Sequence, residues 1–147
     1  MSPRSYSLKN LRKMQALCAP QSVEKESTFI VNFRKLAAKL REESATERAA
    51  QDFDHMAEWI TGKVSYYRGP LPCADQLGSY YEIALMGYEK FYEGLAEVSL
   101  FFRDQEGSHL DEGLRLAEEG EDLHREMDAR IRREKEWYER EIPYAVA

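Results

Sequence analysis

The sequence predicts an all-α protein, an antiparallel four-helix bundle in up-down-up-down order with a short extra N-terminal helix. Charged residues make up 33% of the 147 residues, and the chain has only 8 glycines, which leaves little material for the turns of a β-protein. Proline is absent from two long stretches, residues 21–69 and 73–142. Within these stretches apolar residues recur every three or four positions, which is the period of an amphipathic helix.

The helix boundaries follow from capping signals and prolines. Ser44-Ala45-Thr46-Glu47 matches a capping box, which predicts Ser44 as the N-cap of the second helix. Pro70 and Pro72 end that helix, and the short connections on either side make successive helices antiparallel. The four helices are predicted at about 22–42, 45–67, 73–103 and 108–142.

The domain organisation is simple. A chain of 147 residues with 43% hydrophobic residues can build one core, so we expect a single domain over residues 1–147. Residues 1–20 are expected to form a basic N-terminal helix or arm, residues 21–142 the bundle and residues 143–147 a tail.

The charge is unevenly distributed. Residues 1–23 carry four basic residues and no acidic residue, so the rest of the chain has 17 basic against 27 acidic residues and a charge of −10. Four positive charges beside an acidic body are too few to make nucleic acid the preferred partner. The sequence therefore predicts no nucleic-acid binding.

Membrane and secretory signatures are missing. No run of about 18 apolar residues occurs, so we expect no membrane-spanning segment. The two cysteines, Cys18 and Cys73, are far apart in the chain and form no Cys-x-x-Cys motif, which gives no support to a disulfide framework or a thiolate zinc site. A cytoplasmic location is the expectation.

Few residues are suited to catalysis. The chain has three histidines, His55, His109 and His124, and lacks a Gly-rich phosphate loop, a Gly-x-Ser-x-Gly motif and a His-Glu-x-x-His motif. This pattern favours a protein that is not an enzyme and that carries no cofactor.

One pair of motifs has metal-ligand spacing. Glu121-Asp122-Leu123-His124 is a Glu-x-x-His sequence on the fourth helix, and Asp52-Phe53-Asp54-His55 is its Asp-x-x-His counterpart on the second. The i,i+3 spacing places both side chains of a pair on one helix face. With the helix count, these two tetrapeptides resemble the ferritin-like di-iron bundles.

That resemblance implies a di-iron or di-manganese site with oxidase or storage chemistry. Glu26 and one of Glu82, Glu89 or Glu93 would supply the carboxylates of the first and third helices. Helical geometry, however, places His124 within the apolar stripe of its helix and His55 about 130° from the stripe of its own. The geometry thus favours His124 as a hydrogen-bonded core or boundary histidine.

The third helix carries more apolar surface than one side of a bundle needs. One interpretation is a central helix with neighbours on three sides, and the other is a surface for self-association or for a partner. Gly87 and Gly94, seven residues apart on one side, would permit close approach by another helix. The predicted interface residues are Ile83, Met86, Tyr88 and Phe101.

These patterns predict a non-catalytic helical interaction protein, an adaptor or accessory subunit. It is expected to self-associate as a homo-oligomer or to dock a protein partner. The alternative is the ferritin-like di-metal bundle.

Overall fold

The computed structural model describes residues 26–43 and 46–141. Several predicted features lie outside these residues: the basic helix or arm at residues 1–20, Cys18, Ser44 and the tail at residues 143–147.

Four α-helices follow one another along the described chain, which confirms the predicted all-α four-helix bundle. They are α1 (Thr28–Glu43), α2 (Glu47–Arg68), α3 (Ala74–Asp104) and α4 (Gly107–Glu141). None of these helices combines the length and the uninterrupted apolar character that a bilayer crossing needs.

The helices form a ring of antiparallel neighbours. Each helix packs against the next one along the chain, and α4 closes the ring by packing against α1. In every neighbouring pair the residue numbers of contacting side chains run in opposite directions. The pairs that establish this order are Phe29–Trp59, Lys39–Asp52, Phe53–Phe102, Tyr67–Tyr88, Gly87–Gly120, Gly94–Gly113, Ser27–Glu121 and Arg41–Asp111.

The start of α2 differs from the prediction. Thr46 is the N-cap, and its hydroxyl accepts a hydrogen bond from the backbone N–H of Ala49 at 3.1 Å. The prediction of Ser44 in this role was therefore wrong. The sequence offers two hydroxyl residues two positions apart, and the capping-box pattern selected Ser44 where the helix uses Thr46.

Both ends of α3 use a left-handed residue. Cys73, the N-cap, has φ 56°, and Gln105, the C-cap, has φ 61°. The turn before α3 is held by the Tyr81 hydroxyl, which donates a hydrogen bond to the Pro72 carbonyl at 2.6 Å. Cys73 therefore lies at the boundary of the helix, which begins at Ala74, one residue after the predicted start.

The core is rich in aromatic residues. Phe91 is fully buried and stacks on Phe29 at a ring-centroid distance of 4.4 Å, while Tyr88 stacks on Tyr67 at 5.3 Å. The largest fully buried side chains come from all four helices: Ile30, Phe33, Leu40, Ile60, Leu77, Tyr80, Tyr88, Phe91, Leu110 and Met127.

Two pairs of glycines bring α3 and α4 into backbone contact. A Cβ atom on Gly94 would lie 2.7 Å from the carbonyl oxygen of Gly113, and one on Gly113 would lie 2.8 Å from that of Gly94. Seven residues along each helix, a Cβ on Gly120 would lie 2.6 Å from the Gly87 carbonyl oxygen. The predicted close approach at Gly87 and Gly94 therefore occurs, and the approaching helix is α4 of the same chain.

This packing makes a stability prediction for Gly94. We expect Gly94→Ala to lower the free energy of unfolding by about 2 kcal/mol, because the new methyl group meets backbone that cannot rotate away. The control is Gly78→Ala on the same helix, where no atom lies within 4 Å of the new methyl. Gly78→Ala is expected to raise the free energy of unfolding by about 0.5–1 kcal/mol through helix propensity. Urea unfolding followed by circular dichroism measures both, and equal effects would contradict the glycine contact.

Candidate functional site

Glu121, one of the predicted metal ligands, is a buried carboxylate. Its side chain is only 4% exposed, and its Oε2 accepts a hydrogen bond from the backbone N–H of Ser27 at 2.8 Å. The Ser27 hydroxyl in turn accepts from the N–H of Ile30, in the first turn of α1. A carboxylate at this position satisfies a buried donor and opposes the positive end of the α1 dipole.

His124 lies one turn further along α4 and faces the core, as predicted. Its ring occupies the notch over Gly87, where a Cβ atom would collide with it, and packs edge-on against Tyr88 at 4.4 Å. The His124 Nε2 donates a hydrogen bond to the Ala84 carbonyl at 2.9 Å. Burial lowers the pKa of His124, so the ring is neutral at pH 7.

Glu26 was predicted to lie within the first helix. It instead precedes α1, which begins at Thr28. Its carboxylate forms a short hydrogen-bonded ion pair with Arg34 and a longer one with Arg125 at 3.8 Å. Arg34 also pairs with Glu118 of α4 at 3.3 Å. These exposed ion pairs connect α1 to α4. The partners of the Glu26 carboxylate in them are two arginines.

The Asp52 and His55 pair does not join Glu121 and His124. Asp52 pairs with Lys39 of α1 at 3.6 Å, and His55 is exposed on α2, as helical geometry predicted. Among the described residues no group of three or more His, Cys, Asp or Glu side chains could hold a metal ion. These placements give the di-metal alternative no support.

The role of Glu121 at the start of α1 is testable by substitution. We expect Glu121→Ala to lower the free energy of unfolding by about 2 kcal/mol, because it leaves the buried Ser27 N–H without an acceptor. Glu121→Gln keeps an oxygen acceptor and is expected to cost less. The loss should be the same with EDTA, iron or manganese present, as measured by thermal melting.

The control for this prediction is Glu118→Ala, one turn earlier on α4 and about half exposed, which is expected to cost less than about 1 kcal/mol. The contrary outcome is that manganese raises the melting temperature of wild type but not that of Glu121→Ala or His124→Ala. That result would establish these two residues as metal ligands.

His109 joins the end of α3 to the start of α4. Its Nε2 lies 2.9 Å from Asp104 Oδ2, and its Nδ1 lies 3.1 Å from Glu97 Oε2. Both ring nitrogens face carboxylates, an arrangement that requires two N–H donors and therefore the imidazolium form. The hydrogen bonds to Asp104 and Glu97 raise the pKa of His109 above its ordinary value near 6.5.

This arrangement predicts a pH-dependent contribution to stability. The pKa of His109 is raised in the folded protein. The contribution of His109 to the stability of the fold is therefore complete below about pH 6.5 and is lost as pH rises through the folded pKa. The melting temperature of His109→Gln should therefore fall below that of wild type at pH 6, and the two values should converge at alkaline pH.

The control is His55→Gln, which removes the same titratable group from an exposed position on α2. His55→Gln is expected to follow the wild-type melting curve throughout. A constant difference in melting temperature between wild type and His109→Gln from pH 6 to about pH 9 would exclude a stabilising ion pair between His109 and the two carboxylates.

The predicted interface residues differ in their exposure to solvent. Tyr88 and Phe101 are 2% and 5% exposed and belong to the core, so their assignment to an interface was wrong. Ile83 is partly buried against the same core. Met86, however, is 53% exposed on the outward face of α3.

Tyr92, which is not among the predicted interface residues, is also exposed on α3. Its exposure of 53% equals that of Met86. At about 100° per residue, Tyr92 lies about 90° from the centre of the buried α3 face, which places it at the edge facing α2. The angular position of Tyr92 can be calculated from the sequence. The apolar arc of α3 is so broad, however, that the sequence alone does not show where its buried part ends.

Tyr92 lies in an open groove between α2 and α3, hereafter the α2–α3 groove. Its volume is about 670 Å³. The groove is lined by Thr61, Val64, Ser65, Arg68, Gly69, Glu89, Tyr92 and Glu93.

Two other exposed aromatic side chains lie on the opposite edge of α2. Trp59 stacks on Phe29 at 5.6 Å and lies beneath the Lys63 ammonium group at 5.5 Å. Tyr66 is 44% exposed and packs edge-on against Tyr67. Both residues therefore have apolar contacts within the bundle, and they do not extend the α2–α3 groove.

Comparisons of the chain with protein-family models, with curated proteins and with solved structures found no match. Function is therefore inferred from the chemistry of the described residues.

Proposed function

We propose that this protein is a non-catalytic helical interaction protein, an adaptor or accessory subunit, which binds a protein partner through the outward face of α3. The observation that supports this proposal most directly is the exposure of Met86 and Tyr92, each 53% exposed on a helix whose other large apolar residues are buried or partly buried. Tyrosine and methionine are both enriched at protein interfaces, because they offer apolar area without a charge that must be desolvated.

The engaged histidines support a role other than catalysis. His124 is committed to the Ala84 carbonyl and the Gly87 notch, and His109 is committed to two carboxylates. A histidine that acts as a general base needs a ring nitrogen that can reach a substrate. In His124 and His109, these ring nitrogens form hydrogen bonds that connect α4 to α3.

Self-association is the second form of the proposal. The sequence favoured a homo-oligomer, and an exposed apolar pair is compatible with one. On this face, however, Glu82, Glu89 and Glu93 lie between Met86 and Tyr92, so two copies meeting face to face would bring like charges together. A different protein is therefore the preferred partner.

The test removes the two apolar side chains without adding charge. The full chain, its Met86→Gln/Tyr92→Gln double variant and a Tyr66→Gln control are each used to capture proteins from an extract of the source cells. We expect wild type and the control to retain the same protein at near-equal amounts, and the double variant to retain about tenfold less. Quantitative mass spectrometry measures the ratio, and circular dichroism verifies equal helicity.

Sedimentation velocity of the same three proteins tests self-association. A wild-type dimer that the double variant alone dissociates would mean that the partner is a second copy. If no captured protein depends on Met86 and Tyr92 and all three proteins sediment as the same monomer, the proposed function is wrong.

A further inference from the structure

The outward face of α3 carries a line of glutamates beside its two exposed apolar residues. At about 100° per residue, Glu82, Glu89 and Glu93 fall within about 40° of one another. Met86 lies about 20° to one side of this line and Tyr92 about 60° to the other. We call Glu82, Glu89 and Glu93 the acidic α3 line, and two of its members also line the α2–α3 groove.

The acidic α3 line is only weakly neutralised by its neighbours. Arg68 of α2 approaches Glu89 at 3.7 Å, and Lys90 approaches Glu93 at 3.5 Å. Lys90 is also shared with Glu119 of α4 at 3.4 Å. These separations are long for ion pairs, and the side chains are between 36% and 63% exposed. Such pairs contribute little to stability, and a cation from another molecule can replace them.

The apolar residues and the glutamates differ in what they offer. Tyr92 presents apolar surface inside the α2–α3 groove, and Met86 presents it on the far side of the acidic α3 line. Glu82 and Glu93 are about 16 Å apart along the helix axis, the rise of eleven residues. A partner that covers this face therefore needs apolar side chains and positive charges that recur over at least three helical turns.

We propose that the α2–α3 groove and the acidic α3 line bind a basic amphipathic helix of a protein partner. Its apolar side chains pack against Tyr92 and Met86, and its lysines or arginines face Glu82, Glu89 and Glu93. A helix meets both demands because its i, i+4 and i+7 side chains share one face at the rise that α3 itself has. This inference rests on the proposed function and specifies the partner's chemistry.

Charge complementarity selects this occupant over a second copy of the chain. A second α3 would bring its own acidic line to the surface, and like charges opposed at an interface weaken it. The partner's cations also replace the weak contacts of Arg68 and Lys90, so the surface glutamates remain paired in the complex.

The probe for the test is a synthetic peptide of leucine and lysine arranged as an amphipathic helix, with a leucine and glutamate peptide of the same pattern as its counterpart. The full chain carries isotope-labelled methionine methyl groups. We expect the basic peptide to shift the Met86 methyl resonance and to leave that of Met127 unchanged, because Met127 is fully buried. The acidic peptide should shift neither.

Charge variants measure the specificity of binding. Glu89→Gln/Glu93→Gln is expected to weaken the basic peptide roughly tenfold at low salt, and the difference should shrink at about 0.5 M salt. The matched control is Glu112→Gln/Glu126→Gln on α4, which removes the same two charges elsewhere and should change the dissociation constant less than about twofold.

Four outcomes overturn the inference. They are equal binding of the acidic peptide, equal weakening by the α4 control, an unmoved Met86 methyl, and a wild-type dimer that buries Met86. If the peptide fails while capture from the extract still depends on Met86 and Tyr92, the partner's chemistry is wrong but the proposed function stands.

Discussion

The contact between the backbones of α3 and α4 fixes the arrangement of the candidate site. Gly87 and Gly94 on one helix meet Gly120 and Gly113 on the other, so the two helices approach without intervening side chains. Because each pair lies seven residues from the next, the contact sets one register along two turns. Phe91 lies against Gly120 and Val98 against Gly113, so a shift of α4 along α3 would bring larger residues against these two side chains.

That register determines what the neighbouring side chains do. Glu121 follows Gly120 directly and reaches the Ser27 N–H, which docks the start of α1. His124, one turn later, fills the space that Gly87 leaves and donates to Ala84. The Glu-x-x-His sequence that resembles a metal motif is thus explained by packing: the acid holds α1, and the histidine fills a notch in α3.

The helices were largely predictable, and the roles of individual residues were not. Proline positions and apolar period gave four helices close to those observed, because both effects are local in sequence. The exposure of His55 and the inward direction of His124 were also predictable, because each depends only on the apolar stripe of the residue's own helix. Tyr88 and Phe101 were misassigned because burial depends on how broadly α2 and α4 flank α3, which no single-helix pattern contains.

The width of the α3 apolar face has a similar explanation. It combines contacts to α2 and α4 with contacts to the central core, so most of the surplus surface predicted from sequence is covered within the chain. Glu26 was misplaced for a related reason. Its position two residues before α1 lets it pair with Arg34 and Arg125, and only the docking of α1 against α4 reveals those partners.

The glycine contact also bears on the outward face of α3, the proposed binding surface. Because Gly87 and Gly94 lie on the side of α3 held against α4, a rotation of α3 that moved Met86 and Tyr92 would break this contact. A preorganised surface loses less conformational entropy when a partner binds. In the proposed complex the apolar side chains would supply most of the affinity, and the glutamates beside them would disfavour acidic partners and a second copy of the chain. The same glycine contact that organises the core therefore also holds the proposed binding surface in place.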